Sequence, residues 1–181
     1  MKKKFFLGLL VCLSLLSTKS FALNPETVSD VGRWGIPLYA LGMAQAETTN
    51  QGMKELFLSA IGAQIAAEAL KKLTQEKRPD WEPGSVKNSF PSGHAVGAFS
   101  GAMFIHRRYG LQYAVVPYIF ATYTSYQRVD SKAHHIHDVL AGAALSALFT
   151  LAFVSKYDKS NTQIAFAIDK DEQKIEYKVK F

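Results

Sequence analysis

At 181 residues, 48% of them hydrophobic, the chain can bury one core but is too short for two ordinary domains. A formal charge of +6 could suggest a nucleic-acid footprint, yet three of the lysines lie in the opening "MKKK". Cys12 is the sole cysteine, so no intrachain disulfide can staple the fold, which must be held by packing.

Residues 1–22 read as an export signal: "MKKK" is a basic start, "FFLGLLVCLSLL" an apolar stretch, and "STKSFA" ends in small-residue positions that suit signal peptidase. The apolar run is short of the roughly 20 residues a span needs. An uncleaved anchor is the alternative. Cys12 follows Val11, which argues against a lipid-attachment site, and it would leave with the signal. Lys2, Lys3, Lys4 and Lys19 would leave too, so 17 basic residues would face 15 acidic ones. That balance removes the argument for nucleic acid as a partner.

Five apolar, helix-like segments follow, at about 26–46, 53–73, 93–108, 111–126 and 133–155, separated by "AETTNQG", "RPDWEPGSVKNS" and "RRYG". Gly93, Gly97 and Gly101 recur every fourth residue, a spacing that lets two helices approach closely; Gly142 and Ser146 repeat it in the fifth segment. The stretches "LFLSAIGAQIAAEAL" and "VLAGAALSALFTLAFV" have 15 and 16 residues, short for spans, and the mean hydropathy is −0.01. The helices nevertheless lack a clear charged stripe. The expectation is a mostly α protein: a compact bundle of about five helices over 23–158, in or against a membrane. In the tail, Ile164, Phe166 and Ile168, then Ile175, Tyr177, Val179 and Phe181, alternate around "KDEQ". Period two predicts an accessory β-hairpin over 159–181.

Three clusters could carry chemistry. "KKLTQEKRP" closes the second segment; it is either a basic helix end complementing the dipole or a place where Arg78, fixed before Pro79, grips an oxyanion. In "FPSGHAVGAF", Ser92 is a good N-cap and Gly93 admits a ligand to the backbone, so the helix start aims N–H groups at an anion and places His94 in its first turn. The alternative is an ordinary capped helix with an incidental histidine. In "QRVDSKAHHIHDVLAG", His134 and Asp138 are four apart and would share a helix face, with Arg128 just before that helix. The carboxylate could fix the imidazole tautomer and leave the other nitrogen as a nucleophile. A surface turn is one alternative. A metal on His134, His135, His137 and Asp138 is another, although adjacent histidines point apart on a helix.

Taken together, Lys71, six residues, Arg78-Pro79; Pro91-Ser92-Gly93-His94; and Arg128, five residues, His134, three residues, Asp138 resemble the tripartite signature of the type 2 phosphatidic acid phosphatase superfamily. That superfamily also includes bacterial acid phosphatases and vanadium haloperoxidases. The resemblance implies a hydrolase without a metal or other cofactor. His134 would be the nucleophile, Asp138 would orient it, and His94 would serve as general acid and base. Lys71, Arg78, Ser92, Gly93 and Arg128 would bind the phosphate. Gln127 stands where the family usually has serine, a difference expected to tune the site. His135 and His137 fall outside the signature and receive no catalytic role. The implied substrate is a lipid-linked phosphate or diphosphate, such as phosphatidic acid, phosphatidylglycerol phosphate, undecaprenyl diphosphate or lipid A, met in the periplasm or on the outer face of the cytoplasmic membrane. A broad-specificity periplasmic acid phosphatase and a vanadate-dependent haloperoxidase are the alternatives.

Overall fold

Small side chains decide how the helices of this protein meet. The computed structural model describes residues 25–157, apart from Thr48, Trp81 and Val86. The expected signal at 1–22 and hairpin at 159–181 lie outside the described residues. All five segments expected to be helical are helices: α1 (Pro25–Gln45), α2 (Gln51–Thr74), α3 (Gly93–Tyr109), α4 (Leu111–Asp130) and α5 (Ile136–Phe153). No strand occurs among the described residues.

Helix α3 is the axis of the bundle. It packs on all four others, while α4, α1, α2 and α5 follow one another around it. Its buried face is built from Gly93, Ala95, Val96, Ala98, Ser100, Gly101 and Ala102, with Phe104 and Ile105 filling the wider far end. The expected close approach is real, and it is made twice. On the α1 side, a Cβ at Gly101 would fall 2.7 Å from the backbone nitrogen of Pro37 and 2.9 Å from Ile36 O. On the α5 side, one at Gly142 would fall 2.8 Å from Ser92 O. Ser146 fits the same seam because its hydroxyl has buried partners, donating to Val96 O at 2.9 Å and pairing with Ser100 Oγ at 3.2 Å.

The far end of α3 is closed by charge. Arg108, 2% exposed, spreads its guanidinium between Glu47 and Glu55, with Nη1–Glu55 Oε2 at 2.7 Å and Nη2–Glu47 Oε2 at 2.6 Å. This ties the α1–α2 loop and the start of α2 to the end of α3. A buried cation with two carboxylates is satisfied there, whereas one left alone would cost several kcal/mol.

Two boundaries differ from expectation. Helix α4 runs on to Asp130, so Arg128 sits in its last turn and not in the connection. Helix α5 starts at Ile136, so His134 precedes it. Lys132 takes a left-handed φ of 56° and breaks the chain direction, and the Asp138 carboxylate then caps the new helix by accepting the His135 N–H at 2.8 Å.

The outside of the bundle is apolar. Trp34 and Leu38 on α1, Phe57, Leu58, Ile61 and Ile65 on α2, Val116, Ile119 and Phe120 on α4, and Leu140, Leu148 and Leu151 on α5 are all exposed. Among the described residues α5 is the one helix long and apolar enough to cross a membrane. Its 18 residues rise about 27 Å, close to the thickness of a hydrocarbon core.

The α1–α3 seam has no room for a methyl group, since the atoms opposing Gly101 are backbone and cannot rotate away. Gly101→Ala is expected to destabilise the protein by about 1–3 kcal/mol, read as a lower thermal midpoint of the detergent-solubilised protein. Gly42→Ala, where a Cβ meets nothing within 4 Å, should leave the midpoint unchanged or raise it.

Candidate active site

Every expected site residue falls at one end of the bundle, around the first turn of α3. Lys71 reaches it from the last turns of α2, which ends at the left-handed Gln75. The Lys71 ammonium bonds Glu68 Oε1 at 2.7 Å and lies beside Gly93, where a Cβ would sit 3.1 Å from Nζ. Arg78, in the connection after α2, is steadied by Asn88, whose Oδ1 accepts from Nε at 3.1 Å. Ser92 caps α3 and is fully buried; its Oγ accepts the Ala95 N–H at 3.4 Å. That leaves the first amides of α3 directed forward, as an anion site requires.

Asp138 ties these parts together. Its side chain is completely buried, and Oδ2 accepts from the Ser89 hydroxyl, from the His135 N–H at 2.8 Å and from His134 Nδ1 at 3.3 Å. Its backbone carbonyl accepts the Ser92 N–H at 3.0 Å, which joins the α5 start to the α3 cap. His134 is fixed from the other side as well, its N–H donating to Arg128 O at 3.0 Å. With Nδ1–H committed to the carboxylate, His134 carries its lone pair on Nε2. The one-helix-face arrangement expected for His134 and Asp138 is therefore replaced by a turn residue meeting a residue of the first helical turn, with the same pairing.

Arg128 is the cation common to both imidazoles. It is 5% exposed, its field acts on His94 and on His134, and that of Arg78 also acts on His134. Its Nε is buried without a hydrogen-bond partner. A buried guanidinium donor left unsatisfied is costly, and a bound oxyanion would remove that cost. Burial, reinforced by Arg78 and Arg128 and opposed by Asp138, holds the His134 pKa below the usual imidazole range and so favours the uncharged ring. Burial likewise lowers His94 to about 4, with Arg128 and Arg33 acting in the same sense and Asp30 opposing. His94 Nε2 donates to Asp30 Oδ1 at 2.9 Å.

Asp30 and Ser89 were not among the residues the sequence singled out. Asp30 comes from α1, and its only sequence signal is a carboxylate four residues after Glu26 on an otherwise apolar segment. Ser89 precedes the "FPSGH" stretch and nothing about its type marks it. Gln127 points away, its amide donating to Tyr123 Oη at 2.9 Å on the outer side of α4. At the end of α2 lies an open groove of about 530 Å³ lined by Glu68, Lys71, Lys72, Gln75, Ser85, Lys87 and Asn88. Lys71, which lies beside Gly93, and Asn88, which holds Arg78, connect it to the α3 start.

Among the described residues a helical frame gathers two imidazoles, a buried carboxylate and three cations around one helix start, an arrangement chemically able to hold a tetrahedral anion. The chain belongs to the PAP2 superfamily, whose family model matches residues 52–162. It is 31% identical over 170 residues to a lipid A 4'-phosphatase of Helicobacter pylori (strain J99), covering 87% of this chain and 85% of that one. A lipid A 1-phosphatase of Porphyromonas gingivalis is 40% identical over 74 residues, 39% of this chain; the match spans only 16% of that relative's length. Among solved structures, Aquifex aeolicus LpxE superposes with a TM-score of 0.60 at 20% identity, covering 71% of this chain and 81% of that one. A Bacillus subtilis transmembrane PAP2-type phosphatidylglycerolphosphate phosphatase superposes with a TM-score of 0.51 at 21% identity, covering 83% and 92%. At such identities the two structures establish the fold.

The His94–Asp30 pair has a kinetic signature. Asp30 favours the protonated ring, so in Asp30→Asn the His94 proton is lost at lower pH. The alkaline limb of the phosphatase pH profile is expected to move to lower pH, and turnover at neutral pH to fall about tenfold or more. Wild-type and variant profiles measured on one phosphomonoester check it.

Proposed function

We propose that the protein is a metal-independent lipid phosphatase that hydrolyses a phosphomonoester or diphosphate through a phosphohistidine on His134. The observation that carries this reading is the buried, unpartnered Nε of Arg128, whose guanidinium acts on both imidazoles.

The substrate phosphate sits over the first turn of α3, its non-bridging oxygens taken by Arg78, Arg128, Lys71, the Ser92 hydroxyl and the Gly93 N–H. His134 Nε2 attacks phosphorus as the bond to the leaving oxygen breaks, and His94 gives that oxygen its proton. The dianion itself favours protonation of His94, offsetting the effect of burial. A water then replaces the leaving group, His94 removes its proton, and attack releases inorganic phosphate and neutral His134. Asp138 stabilises the ring while it carries positive charge. Charge neutralisation and alignment supply most of the rate in phosphoryl transfer, and here guanidinium, ammonium and amide groups provide both.

The relatives act, by name, on phosphates of lipid A, and the apolar exterior and apolar α5 support membrane association. The substrate is accordingly a phosphorylated membrane lipid, with a lipid A phosphate the preferred candidate. Its headgroup would lie along the lysine-lined groove and its acyl chains beside the apolar helices. The expected export signal favours action from the periplasmic side.

His134→Ala should lower turnover of lipid and soluble phosphomonoesters by about 10³-fold or more, whereas His135→Ala should retain most of it. EDTA should not lower wild-type activity, and vanadate should inhibit it as a mimic of the five-coordinate transition state. Equal loss in both variants, or loss with EDTA, would replace the phosphohistidine with a metal site. Comparing lipid A, phosphatidylglycerol phosphate, phosphatidic acid and a soluble ester on the same preparations identifies the substrate.

A further inference from the structure

Around Asp138 the described residues bring a second set of ligand atoms together. Glu76, in the connection after α2, meets His135 and His137 at the start of α5; together with Asp138 they offer four ligand atoms, all within 4.8 Å of one another. His137 Nε2 lies 2.6 Å from Glu76 Oε1 and 3.1 Å from Asp138 Oδ1, and His135 Nδ1 lies 3.7 Å from Glu76 Oε1. The two imidazoles stack, with centroids 5.0 Å apart and planes inclined by 13°. The objection that neighbouring histidines point apart on a helix does not apply. His135 caps α5 from outside the helix, and the third protein ligand comes from a different connection.

Two of these atoms are buried without a hydrogen-bond partner: Asp138 Oδ1, on a side chain with no exposure, and His135 Nδ1. Asp138 is thus satisfied on one oxygen by Ser89, His134 and His135 N–H, with His135 Nδ1 3.5 Å from that same oxygen, while Oδ1 is turned toward the His137 ring. Nothing in the phosphoryl-transfer cycle uses that oxygen or either ring. Glu76 and His137 are partly exposed, so the cluster is open to solvent.

The geometry points to a divalent transition-metal site on Glu76, His135, His137 and Asp138, which binds zinc-like ions and restrains the phosphatase through the carboxylate it shares with His134. Two imidazoles and two carboxylates form a borderline-soft donor set that suits Zn²⁺ better than Mg²⁺ or Ca²⁺. With bonds near 2.0–2.1 Å, tetrahedral ligands stand about 3.4 Å apart. The observed separations of 2.6, 3.1 and 3.7 Å reach that by small side-chain movements. Coordination through Oδ1 draws negative charge from Asp138 toward the metal and weakens its hold on the His134 ring, which then loses orientation and the counter-charge it needs as it becomes a phosphoimidazolium. The metal is an inhibitor in this scheme and takes no part in the reaction. The inhibitory half rests on the phosphatase reading; the binding half does not.

The test uses the full chain in detergent after chelator washing. Zn²⁺ is titrated calorimetrically into wild type, His137→Ala and Glu76→Gln, and phosphomonoester turnover is followed in parallel. Wild type should bind one Zn²⁺ and lose activity as that site fills, with Mg²⁺ having no such effect. Both variants should keep basal activity while binding Zn²⁺ about tenfold or more weakly, with a matching rise in the zinc needed for inhibition. Absence of binding to wild type, or unchanged binding in both variants, overturns the site. Binding without inhibition overturns the link through Asp138. Absence of basal turnover on every phosphate tested would instead remove the phosphatase reading, and the titration would still decide the site.

Discussion

One buried carboxylate organises the reactive end of this protein. Asp138 is inaccessible to water, and its charge is stabilised by three donors from two stretches of the chain: the Ser89 hydroxyl, the His135 amide and the His134 ring. Hydrogen bonds to a charged group contribute about 1.5–3 kcal/mol each. The same residue, third in α5, caps the start of that helix and through its carbonyl holds the Ser92 amide at the start of α3. The orientation of the His134 ring and the placement of the α3 start are therefore set by a single local structure. A change there disturbs folding and chemistry together.

The rest of the bundle keeps that end in register. Helix α3 runs from the pocket to Arg108, and its 17 residues span about 25 Å. Close contact with α1 along Gly97 and Gly101 sets Asp30 against His94, and close contact with α5 at Gly142 sets Asp138 beside Ser92. At the other end the Arg108–Glu47–Glu55 group fixes the loop from α1 into α2. Polar groups are thus concentrated at the two ends, and the middle presents Leu, Ile and Phe outward. That distribution suits a protein flanked by lipid.

Much of this was legible from the residues. The five helices follow from long apolar stretches divided by polar breaks, and the helix contacts from small residues at four-residue spacing. The three motifs were readable because anion binding and imidazole chemistry demand particular side chains within short spans, and all eight residues they supplied lie at the α3 start. What stayed hidden depends on the third dimension. Asp30 supports His94 from 64 positions away, and Ser89 is an ordinary serine until Asp138 stands opposite it. The beginning of α5 was misplaced because apolar patterning cannot see the left-handed Lys132 or a cap made by the helix's own third residue. Glu76 offered no sign that it would join His135 and His137.

The central claim is that His134, oriented by Asp138, carries the phosphoryl group. Rapid alkaline quenching of enzyme turning over a phosphomonoester, followed by peptide mass spectrometry, tests it most directly. The account predicts an acid-labile phosphoryl adduct on His134 that accumulates when His94 is replaced and water activation is slowed. An adduct on any other residue, or none on any time scale at which product forms, would contradict it.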